Sequence, residues 1–231
     1  MEPWVYGAAH GMMNLLMERA GEGPLRVLCL GAHSDDIEIG CGGTLLELGR
    51  RRLGVEYTWV VFCAPGKRGE EARLGAERFA GGHPTNLHLR DFRDGFLPYT
   101  GCQVKEYFEE LKITVDPDVV FTHWHGDAHQ DHRLVSELTW NTFRNHLVLE
   151  YEIPKYDGDL GRPSVFVALE AENCRKKVEG LCDVFESQRC KPWFTRETFL
   201  GLMRLRGMEC NARSGYAEAF HARKLLVDPT A

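Results

Sequence analysis

The stretch Arg26-Val-Leu-Cys-Leu-Gly-Ala-His-Ser-Asp-Asp36 decides how the rest of the sequence is interpreted. Residues 26–30 form a short apolar run that is typical of a buried strand. His33, Asp35 and Asp36 follow directly after it. In open α/β sheets, ligands bind at the carboxyl ends of the strands, so a functional site is expected at this point.

This first cluster has two interpretations when it is taken alone. Two adjacent carboxylates beside a histidine repel each other unless a cation balances them, and a divalent metal ion is the simplest such cation. Alternatively, Asp35 or Asp36 only caps the following helix, which is worth about 1 kcal/mol. The cluster by itself leaves both interpretations open.

The rest of the chain alternates between strand and helix patterns joined by short links. This alternation predicts an α/β fold with a Rossmann-like, mostly parallel sheet and helices on both faces, in a single domain over residues 1–231. The predicted strands after the first are residues 55–63, 86–89, 119–122, 164–169 and 224–227. The predicted helices are residues 8–20, 41–53, 70–80, 103–115, 132–146, 175–187 and 195–207, with a loop over 151–163.

Composition excludes several classes of protein. The chain has 231 residues, with 28 Lys plus Arg and 34 Asp plus Glu, so its net charge is −6. This balance does not provide the basic surface that a nucleic-acid-binding protein needs. The longest nearly uncharged apolar stretch, residues 57–65, is about half of the roughly 20 residues that a membrane span needs. The first twenty residues lack a signal-peptide pattern, and the 8 cysteines contain no Cys-x-x-Cys pair. We therefore expect a cytoplasmic protein whose metal, if bound, is held by histidine and carboxylate.

A second cluster, His129-Gln-Asp-His-Arg133, lies just beyond the predicted strand at 119–122. By itself it could be a pair of surface histidines at the start of a helix. Both clusters follow strands of the same predicted sheet, however, so they can meet at one edge. A histidine and a carboxylate from the first cluster and a histidine from the second then make a set with one open coordination position, which is typical of catalytic zinc.

At these residues the chain resembles a known family. Residues 31–38 resemble the Ala-His-Pro-Asp-Asp-Glu signature of the PIG-L/LmbE-like N-deacetylases, and residues 129–132 resemble their His-x-Asp-His motif. Those enzymes are zinc hydrolases that remove acetyl from N-acetylglucosaminyl groups on a Rossmann-like fold. Ser34 replaces the usual Pro and Ile37 stands where a Glu is common. Neither change removes a proposed ligand.

The resemblance implies a role for each charged residue of the two motifs. His33, Asp36 and His132 bind zinc, Asp35 is the general base, and His129 stabilises the oxyanion. The chemistry agrees, because zinc polarises the amide carbonyl and lowers the pKa of its water toward about 7. Fe2+ or Co2+ could replace zinc at such a set.

Four further residues are candidates for the site. Asp131 could hold His129 in its imidazolium form through its negative charge. Arg68 and Asp94, in loops after the second and third strands, resemble sugar-binding positions of the family, although each could equally be a solvated loop charge. His221 resembles a C-terminal histidine that lines the substrate mouth in oligomeric members, so we expect a homo-oligomer.

Three other functions stand as alternatives. Residues 122–129 resemble the His-x-His-x-Asp-His motif of metallo-β-lactamase-like hydrolases, but Ala128 occupies the position of the final His. Residues 40–43 are glycine-rich, but a dinucleotide or S-adenosylmethionine site would need Gly in place of Leu45. A catalytically inactive metal-binding module would have no use for Asp35. We therefore expect a zinc-dependent hydrolase that removes the N-acetyl group from a small amino sugar or glycoconjugate with no membrane anchor.

Overall fold

Seven strands of the described part of the chain form one mixed sheet. The computed structural model describes residues 23–51 and 54–226. The strands lie in the order β3-β2-β1-β4-β5-β7-β6; the first five are parallel, and β7 is antiparallel to both of its neighbours. They are β1 (Leu25–His33), β2 (Val55–Cys63), β3 (Thr85–Leu89), β4 (Val119–His123), β5 (Leu147–Tyr151), β6 (Val165–Ala168) and β7 (Ala217–His221).

Helices cover both faces of this sheet. On β1, Val27 and Cys29 face one apolar cluster with α1, α2, α5 and α6, whereas Leu28 and Leu30 face a second cluster with α3 and α4. The predicted α/β class with a mostly parallel, Rossmann-like sheet is confirmed. The helices are α1 (Asp36–Arg51), α2 (Lys67–Ala80), α3 (Gly101–Thr114), α4 (Gln130–Thr142), α5 (Ala171–Val184) and α6 (Arg196–Glu209).

The strand order places a crevice at the carboxyl end of β1. From β1 the chain moves outward to β2 and β3, and then crosses back to β4 on the other side of β1. The loops that leave β1 and β4 therefore diverge toward opposite faces, which is the arrangement where α/β sheets bind their ligands. His33 ends β1 and His123 ends β4, so both lie at this crevice.

The predicted elements fail mainly after residue 143. The strand β5 was not predicted: residues 147–150 were assigned to no element, and Tyr151 was included in a loop over 151–163. The strand β7 was also missed, and residues 224–226 of the predicted last strand are not extended into any sheet. The predicted helix over 8–20 lies outside the described residues. Among the described helices, none combines the length and apolar character that crossing a membrane requires.

A buried ion pair between two residues of the C-terminal part, Lys177 and Glu218, packs against α1. Lys177 and Glu218 are 3% and 4% exposed, and their charged atoms lie 2.6 Å apart. Glu218 accepts the backbone N–H groups of Gly43 at 2.8 Å and Thr44 at 2.7 Å, while Lys177 donates to the carbonyl oxygen of Ile39 at 2.5 Å. A Cβ atom at Gly43 would lie 2.9 Å from Glu218 Oε1, so glycine is what allows this approach. The ion pair supplies partners to backbone groups in the middle of the helix that begins with Asp36.

Candidate active site

Three side chains converge at the carboxyl ends of β1 and β4. His33 Nδ1 lies 3.2 Å from His132 Nε2 and 3.3 Å from Asp36 Oδ2. His132 Nε2 in turn lies 3.5 Å from Asp36 Oδ1. His33 comes from the end of β1, Asp36 from the first residue of α1 and His132 from the first turn of α4. The structure thus brings the two sequence motifs together.

The spacing of these atoms fits a divalent metal ion. Nitrogen and oxygen ligands about 2.0–2.2 Å from a tetrahedral zinc ion lie roughly 3.3–3.5 Å from one another. The three separations, 3.2, 3.3 and 3.5 Å, are close to that range. Two ring nitrogens and a carboxylate at these distances form a candidate site for a divalent cation.

The other nitrogen of each histidine contacts a carboxylate. His132 Nδ1 lies 2.9 Å from Asp127 Oδ2, and His33 Nε2 lies 3.3 Å from Asp131 Oδ2 and 3.1 Å from Asp94 Oδ1. Such carboxylates fix the tautomer and orientation of a metal-binding histidine, so that its free nitrogen faces the metal. Sequence analysis missed Asp127. A histidine that binds a metal through one nitrogen usually needs a partner for the other nitrogen, but the sequence does not show which residue provides it.

Asp36 and His132 are held in the protonation states that bind metal. Burial would raise the pKa of Asp36, but the neighbouring side chains of His132, His123 and His33 keep it well below the usual value. Burial, followed by the charge of His123, lowers the pKa of His132 to about 3. The carboxylate is therefore ionised and the imidazole of His132 neutral at neutral pH.

Asp35 is buried beside this set but is not part of it. Within residues 23–51 and 54–226 its carboxylate makes no hydrogen bond or ion pair with another side chain. Burial and then the negative charge of Asp36 raise the pKa of Asp35 to about 6, with partial compensation from Lys191 and His33. A buried carboxylate with a pKa near neutrality, next to a metal-type cluster, is able to accept and return a proton.

His129 stands at the edge of the cluster as the N-cap of α4. Its ring lies 4.9 Å from the His33 ring and 4.5 Å from the His132 ring, between centroids. Its Nδ1 accepts the backbone N–H of Asp131 at 3.2 Å, which leaves the proton of the neutral ring on Nε2. Burial and the charge of His33 lower the pKa of His129.

The expected contact between Asp131 and His129 is replaced by a different one. The Asp131 carboxylate accepts the backbone N–H groups of Gly95 at 2.7 Å and Leu97 at 3.1 Å, and its remaining contact is with His33. The Asp131 carboxylate therefore orients His33 and holds the loop of residues 95–97 in place. The imidazolium form expected for His129 does not agree with its lowered pKa.

The three predicted substrate-binding residues lie in two places. Arg68 Nη1 and Asp94 Oδ2 form an ion pair at 2.5 Å, and Asp94 also reaches His33, so this pair borders the cluster. His221 lies on β7, stacked on Trp124 with ring centroids 4.5 Å apart and planes at 11°. It contacts the loop between β4 and α4 rather than the cluster itself.

The His-x-His-x-Asp pattern of residues 123–127 does not assemble a second metal set. His123 Nε2 lies 3.2 Å from Asp36, His125 Nδ1 lies 2.9 Å from the buried Glu150, and Asp127 contacts His132. The three side chains thus have three separate partners. His123 is fully buried, accepts the backbone N–H of Ala32 at 3.0 Å and stacks on His132 with centroids 3.9 Å apart, so it packs behind the cluster.

Comparisons with known proteins agree on a fold and on a family. The chain is 29% identical over 167 residues to YaiS, an uncharacterized deacetylase of Escherichia coli K12, which covers 67% of this chain and 88% of YaiS. GalB, the 4-carboxy-2-hydroxymuconate hydratase from Pseudomonas putida KT2440, has a TM-score of 0.71 and 17% identity, covering 88% of this chain and 98% of GalB. The N,N'-diacetylchitobiose deacetylase from Pyrococcus horikoshii has a TM-score of 0.63 and 19% identity, covering 85% of this chain and 83% of its own.

A hydratase and a deacetylase share this fold, so the fold alone does not decide the reaction. The family model PIG-L, described as GlcNAc-PI de-N-acetylase, matches residues 28–143, half of the chain. That range contains both motifs of the cluster formed by His33, Asp36 and His132. The chain therefore belongs to the PIG-L family of deacetylases.

Proposed function

We propose that this protein is a zinc-dependent hydrolase that removes the N-acetyl group from an N-acetylglucosamine-type amino sugar or its conjugate. The observation that carries the proposal is the mutual spacing of 3.2–3.5 Å among His33, Asp36 and His132, beside a buried carboxylate that is not in the set. His33, Asp36 and His132 would hold the ion. Fe2+ or Co2+ would suit the same donors, because one carboxylate and two imidazoles discriminate weakly.

An amide is a poor electrophile, so its hydrolysis needs an activated water and a stabilised oxyanion. The bound ion supplies both a polarised acetyl carbonyl and a water whose pKa falls toward about 7. Asp35 takes the proton from the attacking water as general base. The neutral His129 donates its Nε2 proton in a hydrogen bond to the oxygen that becomes negative.

The leaving amine needs a proton when the carbon–nitrogen bond breaks. Asp35 has just received one, and its pKa of about 6 lets it give the proton back. His129 is less suited to this step, because its Nδ1 is occupied by the backbone of Asp131 and its pKa is lowered. The products are acetate and the free amino sugar.

Arg68 and Asp94 are placed to bind the hydroxyl groups of the sugar. Their side chains are 27% and 43% exposed, so they are accessible from the mouth of the crevice. A guanidinium donates to hydroxyl oxygens and a carboxylate accepts from hydroxyl protons, so together they match a diol. Asp94 also contacts His33, which links the sugar hydroxyls to the metal-binding histidine.

The test combines metal analysis with acetate release. We expect the purified protein to carry close to one zinc ion per chain and to release acetate from N-acetylglucosamine or its glycosides, with loss of activity after chelation and recovery after zinc is returned. His132→Ala should lose both metal and activity. A matched change of an exposed histidine, His125→Ala, should keep the metal.

Two outcomes would contradict the proposal in different ways. A protein that retains zinc but releases no acetate from any N-acetylated amino sugar would be a metal-binding module without this activity. A protein that binds no divalent metal at neutral pH would contradict the assignment of His33, Asp36 and His132.

A further inference from the structure

Two loops from the C-terminal part of the chain meet near the active site through aromatic side chains. The first, residues 152–164, follows β5, and the second, residues 185–195, follows α5. The rings of Tyr156 and Trp193 are perpendicular, with centroids 6.4 Å apart. None of the steps of the proposed hydrolysis uses either ring.

The first loop is fastened to the residues that hold the metal-type cluster. Lys155 Nζ lies 2.9 Å from Asp127 Oδ1 and 2.6 Å from Asp159 Oδ2, and Asp159 also accepts the backbone N–H of Ala128 at 2.6 Å. Since Asp127 contacts His132, only two side chains separate Tyr156 from a metal-binding histidine along this path. These contacts therefore hold the loop that carries Tyr156 in a fixed position relative to the cluster.

The second loop is attached to the start of α2 and carries a cation beside Trp193. The backbone N–H of Ser187 donates to Glu71 Oε1 at 2.9 Å, and its hydroxyl donates to Glu71 Oε2 at 2.5 Å. Lys191 Nζ lies 5.3 Å from the centroid of the Trp193 ring. Lys191 therefore presents a positive charge beside the Trp193 ring.

Tyr156, Trp193 and Lys191 therefore form a half-exposed group with mixed chemistry, connected through Lys155 and Asp127 to His132. Tyr156 is 70% exposed, whereas Trp193 is partly buried against the apolar core. An aromatic face packs well on the C–H face of a pyranose, and an ammonium and a phenol can donate hydrogen bonds to its hydroxyls. The three residues together present each of these features.

Resting on the deacetylase function proposed above, we propose that Tyr156, Trp193 and Lys191 form a second sugar subsite, which binds the next hexopyranose ring of a substrate at least two sugars long. The charges around the rings favour this occupant over an acyl chain. Asp157, whose side chain is 44% exposed, follows Tyr156 in the same loop, so a charged group interrupts the apolar surface. A lipid chain would need a continuous apolar surface to bind.

The experiment measures binding in the Asp35→Asn protein, so that the sugar is not consumed. The probes are N-acetylglucosamine, N,N'-diacetylchitobiose and an aryl N-acetylglucosaminide, titrated by calorimetry with zinc present. We expect the disaccharide to bind about tenfold more tightly than the monosaccharide, in keeping with one aromatic stacking contact and added hydrogen bonds. Adding Trp193→Ala or Tyr156→Ala should remove most of this preference.

Two variants control for loss of folding. Trp193→Phe keeps an aromatic face and should keep most of the disaccharide preference, and Tyr156→Ala changes a mostly exposed side chain and should fold normally. Met208→Ala, an exposed change on α6, should leave the binding of all three probes as it is. Circular dichroism of each variant reports whether the fold is retained.

Each result supports or overturns the subsite. A disaccharide preference that survives Trp193→Ala and Tyr156→Ala, no preference at all, or no binding of either sugar would overturn it. Tighter binding of the aryl glycoside that depends on Trp193 would assign the rings to an aromatic aglycone instead. If the wild-type protein releases no acetate but the Trp193-dependent preference is present, the deacetylase proposal fails and the sugar subsite stands.

Discussion

The two parts of this sheet contribute to the active site in different ways. In the N-terminal part, residues 25–142, strands and the helices that follow them place the reactive side chains directly: His33, Asp36 and His132 all lie within a residue or a helical turn of a strand or helix end. Among residues 147–226, no side chain joins the cluster. That part instead supplies Lys155 to Asp127 and Glu218 to α1.

The residues proposed to carry out the reaction therefore lie in one part of the chain, and most of the contacts that support them come from the other. Ligands and the proposed base depend on the parallel strands, whose carboxyl ends share one edge. Orientation, helix support and the proposed second sugar subsite depend on loops and antiparallel strands from the C-terminal part. Changes in the first part should therefore alter the reaction or the metal, and changes in the second should alter stability or substrate preference.

The largest expected effect is on the reaction itself. Asp35→Asn should lower kcat for acetate release by about 10²–10⁴-fold, because an amide cannot act as general base, while the zinc content stays near that of the wild type. Initial rates and metal analysis on the same sample measure both. Loss of the metal together with the activity would show that Asp35 belongs to the ligand set.

A large effect on stability is expected from the C-terminal part. Glu218→Ala leaves Lys177 as a buried, unpaired charge and removes the acceptor of two amides of α1, so the free energy of unfolding should fall by about 3–5 kcal/mol. Urea unfolding measures it. Glu172→Ala, which breaks an exposed ion pair with Lys176 on α5, should cost less than about 1 kcal/mol. Equal losses in the two variants would contradict the supporting role of Glu218.

Asp127 lies where the two parts meet, because it contacts both His132 and Lys155. Asp127→Asn should weaken zinc binding about 10–100-fold, since the His132 ring loses the charge that orients it. A competition titration with a chelator of known affinity measures the dissociation constant. Lys155→Met should have a smaller effect on that constant, and the reverse order would mean that the ion pair, not the histidine contact, positions the metal centre.

The smallest effect concerns pH and His221. Burial lowers the pKa of His221 from 6.5 to about 4, so the folded protein favours the neutral ring more than the unfolded chain does. Its contribution to stability is complete above about pH 6.5 and is lost as the pH falls toward 4. Between about pH 7 and pH 5, wild type should lose about 1 kcal/mol more unfolding free energy than His221→Asn, after allowance for partial exposure. Identical pH dependence in the two proteins would contradict the lowered pKa.

Local sequence patterns predicted β1 to β4 because strand and helix patterns alternate there with short links. The convergence of His33 and His132 followed from one rule about strand ends. The strands β5 and β7 were missed because each contains a buried glutamate, Glu150 or Glu218, whose hydrogen-bond donors come from distant parts of the chain. From the local sequence alone, a glutamate is expected to be exposed, so a buried strand is not predicted at these residues.

The roles of supporting side chains could not be predicted for the same reason. Asp131 was identified as a site residue, but its partner among the histidines depends on ring orientations that only the folded chain defines. Asp127 lies five residues before His132 on a loop, and its contact depends on the turn that precedes α4. Sequence spacing indicated the proposed ligands, whereas their second partners required three-dimensional positions.

The contact between Glu218 and α1 has a consequence for how the protein is made. A ribosome synthesises α1, with Asp36, long before it adds Glu218, and domains form as their contacts become available. Until β7 has been synthesised, the amides of Gly43 and Thr44 in the helix that carries Asp36 lack this carboxylate. The helix that carries Asp36 therefore reaches its final set of contacts only after residue 218 has been added.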